Sequence, residues 1–411
     1  MTDKFHFQCI NCGKTYLPDE VKYLCPECEK DNSINLPPKG VLKTIFNYDN
    51  IRESISKPDS NPKLDFFDLL PLFDKSSLTH LRIGQTPLYK INTLKGERLP
   101  FNIFLKDDSQ NPTFSFKDRA SAIVSAHAKE NDINTISTAS TGNAGSSIAG
   151  ICASQKQKAI VFVPASAPRA KLTQIVIYGA TIIPVDGTYD DAFDLSIEAS
   201  KYYGWYNRNT AYNPLTIEGK KTVSFEIALE MNFSLPDRVF VPVGDGVIIS
   251  GVYKGFEDLL NIGLINKIPV IVAVQAKGSD NLTRNIFAEE FISKPSKTIA
   301  DSIAVDIPRN FYMASDYIKK YKGEFLTVSD NEILDASIIL SRESGIFTEP
   351  ASAAAYAGLL KYIENNKFED NSKNMVLLTG SGLKDLSSIQ TKIDIPKAIR
   401  PCLEDVLKII R

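Results

Sequence analysis

The 411-residue sequence is 43% hydrophobic and 23% charged with a net charge of −2, which gives no global electrostatic pull toward nucleic acid or an anionic membrane surface. It is long enough for two or three domains and a large core, and no apolar run approaches the roughly 20 residues a bilayer span requires. The start, Met1-Thr-Asp-Lys-Phe-His-Phe-Gln-Cys9, lacks the charged-then-apolar layout of a secretory signal, so a cytoplasmic protein with neither nucleic-acid nor membrane partners is expected.

Along the chain, Cys9, Cys12, Cys25 and Cys28 come first, as two Cys-x-x-Cys pairs flanking residues 13–24. This is zinc-ribbon spacing. Two such knuckles can present four thiolates tetrahedrally, and a metal would staple a segment, 1–36, too small to hold a core unaided. Chance pairs in a reduced protein, or a ribbon without metal, are the alternatives. The aromatics Phe5, Phe7, Tyr16 and Tyr23 are expected to pack on the neighbouring domain. Residues 37–83 read as a linker with a docking helix: Pro37-Pro-Lys-Gly40, a polar stretch near 58–63, then Phe66-Phe-Asp-Leu-Leu-Pro-Leu-Phe73. From residue 84 to 390, short apolar runs alternate with helical patterns. The runs are Ile103–Leu105, Thr135–Ser137, Ala159–Val163, Thr181–Val185, Val239–Val243, Val270–Val274 and Met375–Leu378. Such alternation predicts an α/β core with mostly parallel sheets. Residues 391–411 are expected to form a helical tail.

Within this core the segment Asn111-Pro-Thr-Phe-Ser-Phe-Lys-Asp-Arg119 places Lys117 on the first turn of a helix after an Asn-Pro turn. The helix dipole should depress its pKa toward a neutral amine; a solvated surface lysine is the alternative. Ser140-Thr-Gly-Asn-Ala-Gly-Ser146 follows a strand and opens a helix, a suitable site for a carboxylate. Asn143 is the side chain there able to hydrogen-bond a phenolic oxygen, or simply a cap. Gly244-Asp-Gly-Val-Ile-Ile-Ser250 is a strand–turn–helix phosphate cradle with Ile249 at the third position of a dinucleotide fingerprint and no Walker lysine. In Leu378-Thr-Gly-Ser-Gly-Leu-Lys-Asp385, Thr379 or Ser381 could offer a hydroxyl to a pyridine nitrogen.

These pieces, in this order, resemble threonine synthase within the fold-type II (tryptophan-synthase-β-like) pyridoxal-phosphate enzymes. The match rests on residues 111–119 and 140–143, Asn213-Pro with Glu218-Gly-x-Lys-Thr222, Pro242-Val-Gly-x-Gly246, Gly345-Ile-Phe-x-Glu-Pro-Ala-Ser-Ala-Ala354, and Thr379-Gly-x-Gly-Leu-Lys-Asp385. The resemblance implies two open, mostly parallel three-layer α/β/α domains with a small N-terminal zinc-ribbon-like segment, the smaller domain at about 118–210 being inserted in the larger. It also implies pyridoxal phosphate as cofactor, an amino-acid substrate and, as we read it, a homodimer. Lys117 would be the Schiff-base lysine and proton shuttle, Asn143 the partner of the ring hydroxyl, and Thr379 that of the pyridine nitrogen. Gly244, Asp245, Gly246, Val247 and Ile248 would cradle the cofactor phosphate. Ser140, Thr141 and Gly142 would hold the substrate carboxylate. The implied reaction converts O-phosphohomoserine and water to threonine and phosphate.

The chain departs from the family pattern where the substrate's phosphate would be gripped. The pattern has Thr after the cofactor asparagine, Ser-Val-Asn-Pro, Arg two residues before the glutamate, and Gly-Asn-Ala-Gly-Asn as cradle. Here stand Ala144, Ala211, Thr216 and Gly244-Asp-Gly-Val-Ile248. Losing a guanidinium and two hydroxyls weakens recognition of a dianion, and an inward Asp245 would repel it. Arg119, Arg169, Lys171 or Arg208 could compensate from another loop. Otherwise the alternative is a related enzyme acting on another amino acid by ammonia elimination or β-replacement, or a non-catalytic protein on the same fold.

Overall fold

Short apolar runs bounded by turn residues become strands because alternate side chains can be buried on opposite faces. The computed structural model describes residues 4–33, 35–55 and 65–410 and arranges its strands in three sheets; the Met1–Asp3 start and the polar stretch at 58–63 lie outside the described residues. β1 (Phe5–Cys9), β2 (Thr15–Tyr16) and β3 (Leu42–Phe46) make an antiparallel sheet in the order β2-β1-β3. Then come β4 (Leu88–Leu94), β5 (Glu97–Asp107), β6 (Thr135–Ala139), β7 (Lys158–Pro164), β8 (Thr181–Val185) and β9 (Tyr206–Asn207). The last are β10 (Arg238–Pro242), β11 (Val270–Ala276), β12 (Glu324–Val328) and β13 (Lys373–Leu378). The smaller parallel sheet runs β8-β7-β6-β9, and the larger runs β12-β11-β10-β13-β5-β4, parallel except for β4.

The larger sheet is covered on both faces, as parallel sheets require. Val239, Val241, Ile271, Ala273, Met375 and Leu377 point into one core with the helices Leu215–Glu230 and Val247–Asn261. Their alternates Phe240, Val272, Val274, Val376 and Leu378 point into a second, under Asp330–Ser344 and Pro350–Glu364. On the first face three helices approach closely. Gly251 allows this, since a Cβ there would stand 2.7 Å from the Cβ of Lys220. The middle helix, Leu215–Glu230, is thereby wedged between Val247–Asn261 and Lys117–Glu130.

Two stretches differ from the sequence reading. Residues 42–46, expected in a linker, are β3, paired with β1 from Phe5–Phe46 to Cys9–Leu42; Leu42, Thr44 and Phe46 alternate inward. The expected docking helix is a single 3₁₀ turn, Phe66–Leu69, because Pro71 disfavours helix at the residue before it. Phe66 still docks, stacking on Phe225 at 4.6 Å between ring centroids. Of the tail, Leu403–Ile409 is helical. Phe5, Phe7 and Tyr16 share the main core, and Tyr23 stacks on Tyr212 at 4.4 Å while its hydroxyl accepts from the Asn207 N–H (2.8 Å).

Candidate active site

The turn before Lys117 is fixed by buried side chains. Asn111 Oδ1 accepts from the Gly84 N–H (2.9 Å) and its amide donates to the Asp108 carbonyl (3.0 Å). Asp118 reaches back to accept from the Thr113 N–H (2.7 Å), so turn and first helical turn are one unit. Lys117 opens the helix Lys117–Glu130 and lines a cavity of about 400 Å³. Burial, together with the Arg208 guanidinium, lowers its pKa from the ordinary 10.5 against the opposing pull of Asp245 and Glu349. The result is an amine biased toward its neutral, nucleophilic form.

The same cavity is lined by Ser140, Thr141, Gly142, Asn143 and Ala144 at the carboxyl end of β6, by Arg208 and Thr210 beyond β9, and by Asp245. Crevices at the carboxyl ends of parallel strands are where α/β folds bind ligands. A second cavity of about 480 Å³ shares Thr141, Gly142 and Asn143 and is closed by Glu349, Lys171 and Lys384. The Asn143 amide, expected to meet a ring hydroxyl, donates to both carboxylate oxygens of Glu349 (2.8 and 3.0 Å). Burial raises the pKa of Glu349. Its signal was present in the Gly345–Ala354 motif, but no role attached to it from sequence alone.

Thr379 is joined to the Lys117 segment through its backbone: its carbonyl accepts from the Phe116 N–H (2.9 Å), and Ser381 N–H donates to the Phe114 carbonyl (3.1 Å). Neither Thr379 nor Ser381 lines these two cavities; Ser381 Oγ accepts from the Leu383 N–H (3.3 Å). In the cradle, Gly246 has φ +85°, a conformation that favours glycine, and caps the helix Val247–Asn261. Gly244 packs against Ile303 behind it. First-turn amides have no partner within their helix and suit an anion. Asp245 is on the cavity wall, where its Oδ1 accepts from the Arg309 N–H (3.2 Å). Val247 and Ile248 do not line either cavity, so any contribution is through their backbone.

Thr216 is not brought to the cavity. It is fully buried and its hydroxyl donates to the Asn213 carbonyl (2.8 Å). Ala211 is buried with φ +63°. Of the basic residues offered as substitutes, Arg119 is consumed by Asp108 and Glu226, Lys171 pairs with Asp301 (2.7 Å) in the second cavity, and Arg169 is exposed. Arg208 remains. Sequence reasoning missed Lys220, which hydrogen-bonds Thr210 Oγ1 (3.2 Å) directly behind the cavity wall; its position in Glu218-Gly-x-Lys-Thr222 is the unspecified one.

Away from this cleft, the Sγ atoms of Cys9, Cys12, Cys25 and Cys28 all lie within 4.8 Å of one another. Cys9–Cys28 and Cys12–Cys25 are 3.7 and 3.8 Å apart, close to the edge of about 3.8 Å expected of a tetrahedron with Zn–S bonds of about 2.3 Å.

The residues of the cleft suit pyridoxal phosphate by their own chemistry: a lowered amine for its aldehyde, a glycine-turn helix start for its phosphate and an amide beside Lys117's cavity for its hydroxyl. A family model for pyridoxal-phosphate dependent enzymes matches residues 79–380. The chain is similar to the threonine synthase of Methanocaldococcus jannaschii, 36% identical over 386 residues and 92% of each chain. It is also similar to that of Methanosarcina acetivorans, 33% identical over 397 residues, covering 95% of this chain and 94% of the other. In fold it is similar to threonine deaminase isoform 2 from Solanum lycopersicum, with a TM-score of 0.62 and 23% identity over 71% of this chain and 82% of that one.

Proposed function

The chain belongs to the threonine synthase family of pyridoxal-phosphate-dependent lyases, and from that premise we propose that it converts O-phospho-L-homoserine and water to L-threonine and phosphate. The observation that carries the reading is the convergence in one cavity of Lys117, with its lowered amine, and the Ser140–Ala144 loop. Bound there, pyridoxal phosphate supplies the electron sink that makes hydrogens on the substrate's α- and β-carbons acidic. Lys117 takes and returns those protons. Amides of Ser140, Thr141 and Gly142 hold the substrate carboxylate at a helix start. Gly246, Val247 and Ile248 would hold the cofactor phosphate through first-turn backbone N–H groups, with Gly244 and Asp245 shaping the turn. Asn143, steered by Glu349, would orient the ring hydroxyl, and Thr379, which lines neither cavity, would serve the ring nitrogen only from behind the Lys117 segment that its carbonyl holds. In net terms the Cα and one Cβ hydrogen leave, the Cγ–O bond to phosphate breaks, Cγ and Cα each receive a proton, and the hydroxyl of water adds at Cβ.

Asp245 on the cavity wall and the turned-away hydroxyl of Thr216 favour a second reading, ammonia elimination or β-replacement on an unphosphorylated amino acid. Phosphate and ammonia release from a panel of O-phosphohomoserine, O-phosphoserine, threonine and serine separates the two. Phosphate from O-phosphohomoserine supports the first; ammonia from the hydroxy amino acids alone supports the second.

The Cys quartet is assigned a structural zinc. Its four thiolates complete a tetrahedral shell and leave no position for a reacting water. The ribbon unit extends to residue 46, since β3 pairs with β1, with 84–390 as the catalytic core, 118–210 as its smaller part, and a homodimer as the working assembly. Among the described residues no helix is long and apolar enough to cross a membrane.

A further inference from the structure

Arg208 and Lys220 are each fully buried, yet among the described residues neither forms an ion pair. Arg208 offers Nε to Ser121 Oγ (3.3 Å), while its Nη2 is buried with no partner. Lys220 offers Nζ only to Thr210 Oγ1 (3.2 Å). The other buried cations nearby are treated differently. Arg119 has Asp108 and Glu226, and Lys221 and Lys254 share Asp258. Burial pushes the Lys220 amine well down and the Arg208 guanidinium to about 10, so both bases stand where an anion would restore and pair their charged forms.

Both reach the same place. Arg208 and Thr210 line the Lys117 cavity, and Lys220 stands behind Thr210. The opposing carboxylate, Asp245, is engaged by the Arg309 N–H (3.2 Å), and the Arg309 guanidinium is held by Asp190. Tyr189 and Asp118 are the further charged or titratable groups that bear on Arg208. The cavity also carries the carboxylates of Asp190, Asp301 and Asp306, but none of them pairs with Arg208 or Lys220, which remain two buried bases without an acidic partner beside Lys117.

We propose that Lys220 and Arg208, with the Thr210 hydroxyl between them, are the specificity-determining residues that bind the substrate's leaving phosphate. The proposal rests on the O-phosphohomoserine reading and deepens it. Thr216, where the family resemblance leads one to expect arginine, lies one helical turn before Lys220 on Leu215–Glu230. Lys220 is set by close packing, its Cβ standing against Gly251, and cannot swing away as a surface lysine would. An ammonium and a guanidinium together match a dianion, whereas an unphosphorylated hydroxyl group would leave both unpaired.

The test uses holoenzyme. Lys220→Gln keeps a donor for Thr210 and removes the charge; Lys220→Arg restores charge. In Lys220→Gln the Michaelis constant for O-phosphohomoserine and the inhibition constant for inorganic phosphate should both rise by about tenfold to a hundredfold, with kcat less affected. The cofactor's dissociation constant, read from its absorbance on titration, should stay within about twofold, and Lys220→Arg should recover most of the phosphate affinity. Arg208→Lys should give a smaller effect in the same direction. Weakened cofactor binding with unchanged phosphate inhibition would overturn the proposal, by assigning these cations to the cofactor's own phosphate. So would a variant that loses only thermal stability. If wild type does not turn over O-phosphohomoserine but calorimetry still shows inorganic phosphate binding that Lys220→Gln weakens, the anion site stands and the parent reading falls. If wild type makes threonine and Lys220→Gln is indifferent, the reverse holds.

Discussion

Lys117 is held by neighbours on both sides, the Asp118–Thr113 contact below and the Thr379 carbonyl beside it, so its amine is positioned before any ligand arrives. Burial is the main cause of its lowered pKa, and a neutral amine is what imine chemistry consumes. Borohydride reduction of the purified protein should therefore leave a pyridoxyl group on the peptide containing Lys117. Lys117→Ala should retain weak cofactor binding through the Gly246 helix start while losing at least about a hundredfold in turnover; an adduct found only on another peptide contradicts this. Lys117 was legible because its signal is local, an Asn-Pro turn followed by a helix. The placement of Lys220 was not, because nothing in Glu218-Gly-Lys-Lys-Thr222 tells which of two adjacent lysines points to Asp258 and which to Thr210 behind the cavity wall. That choice is made by helix packing at Gly251.

Among the elements, the two helices behind the site are tied by one buried cation. Arg119 Nε donates to Asp108 (2.5 Å), and its Nη1 donates to Glu226 (2.6 Å) and Thr222 (3.0 Å). It links Lys117–Glu130 and Leu215–Glu230 to the end of β5. Arg119→Met should destabilise the fold by about 3 to 5 kcal/mol, since Asp108 would be left as an uncompensated buried charge and Glu226 would keep only its pairing with Lys106. Denaturant titration measures it, and a loss under about 1 kcal/mol would show the pair to be solvated in practice. In the N-terminal sheet, metal analysis should find one zinc per chain, and chelation should lower the thermal midpoint by loosening β1, β2 and β3 around Tyr23. Active, soluble protein with no metal would show that the core contacts of Phe5, Phe7 and Tyr16 suffice. β3 escaped the sequence reading because Leu42–Phe46 follows a Pro-Pro-Lys-Gly turn and looks connective; its partner β1 lies more than thirty residues earlier, and long-range antiparallel pairing leaves no local mark.

Across the whole molecule, the cavity is where helix starts and strand ends of two sheets meet. The carboxyl ends of β6 and β9, the start of Lys117–Glu130 and the turn after β10 come from separate parts of the chain. The alternation of apolar runs made the parallel architecture legible, since every such run falls on a strand. The division of the core into two faces and the burial of Arg208 and Lys220 without carboxylates were not, because pairing between distant charges depends on tertiary packing. The central claim, phosphate elimination followed by water addition, is tested most directly by incubating holoenzyme with O-phospho-L-homoserine and following products by nuclear magnetic resonance. The account predicts threonine and inorganic phosphate appearing one to one, with deuterium at Cα and in the γ-methyl group when the solvent is heavy water. 2-Oxobutyrate and ammonia appearing with the phosphate in place of threonine, or no reaction while serine or threonine is deaminated, would contradict it.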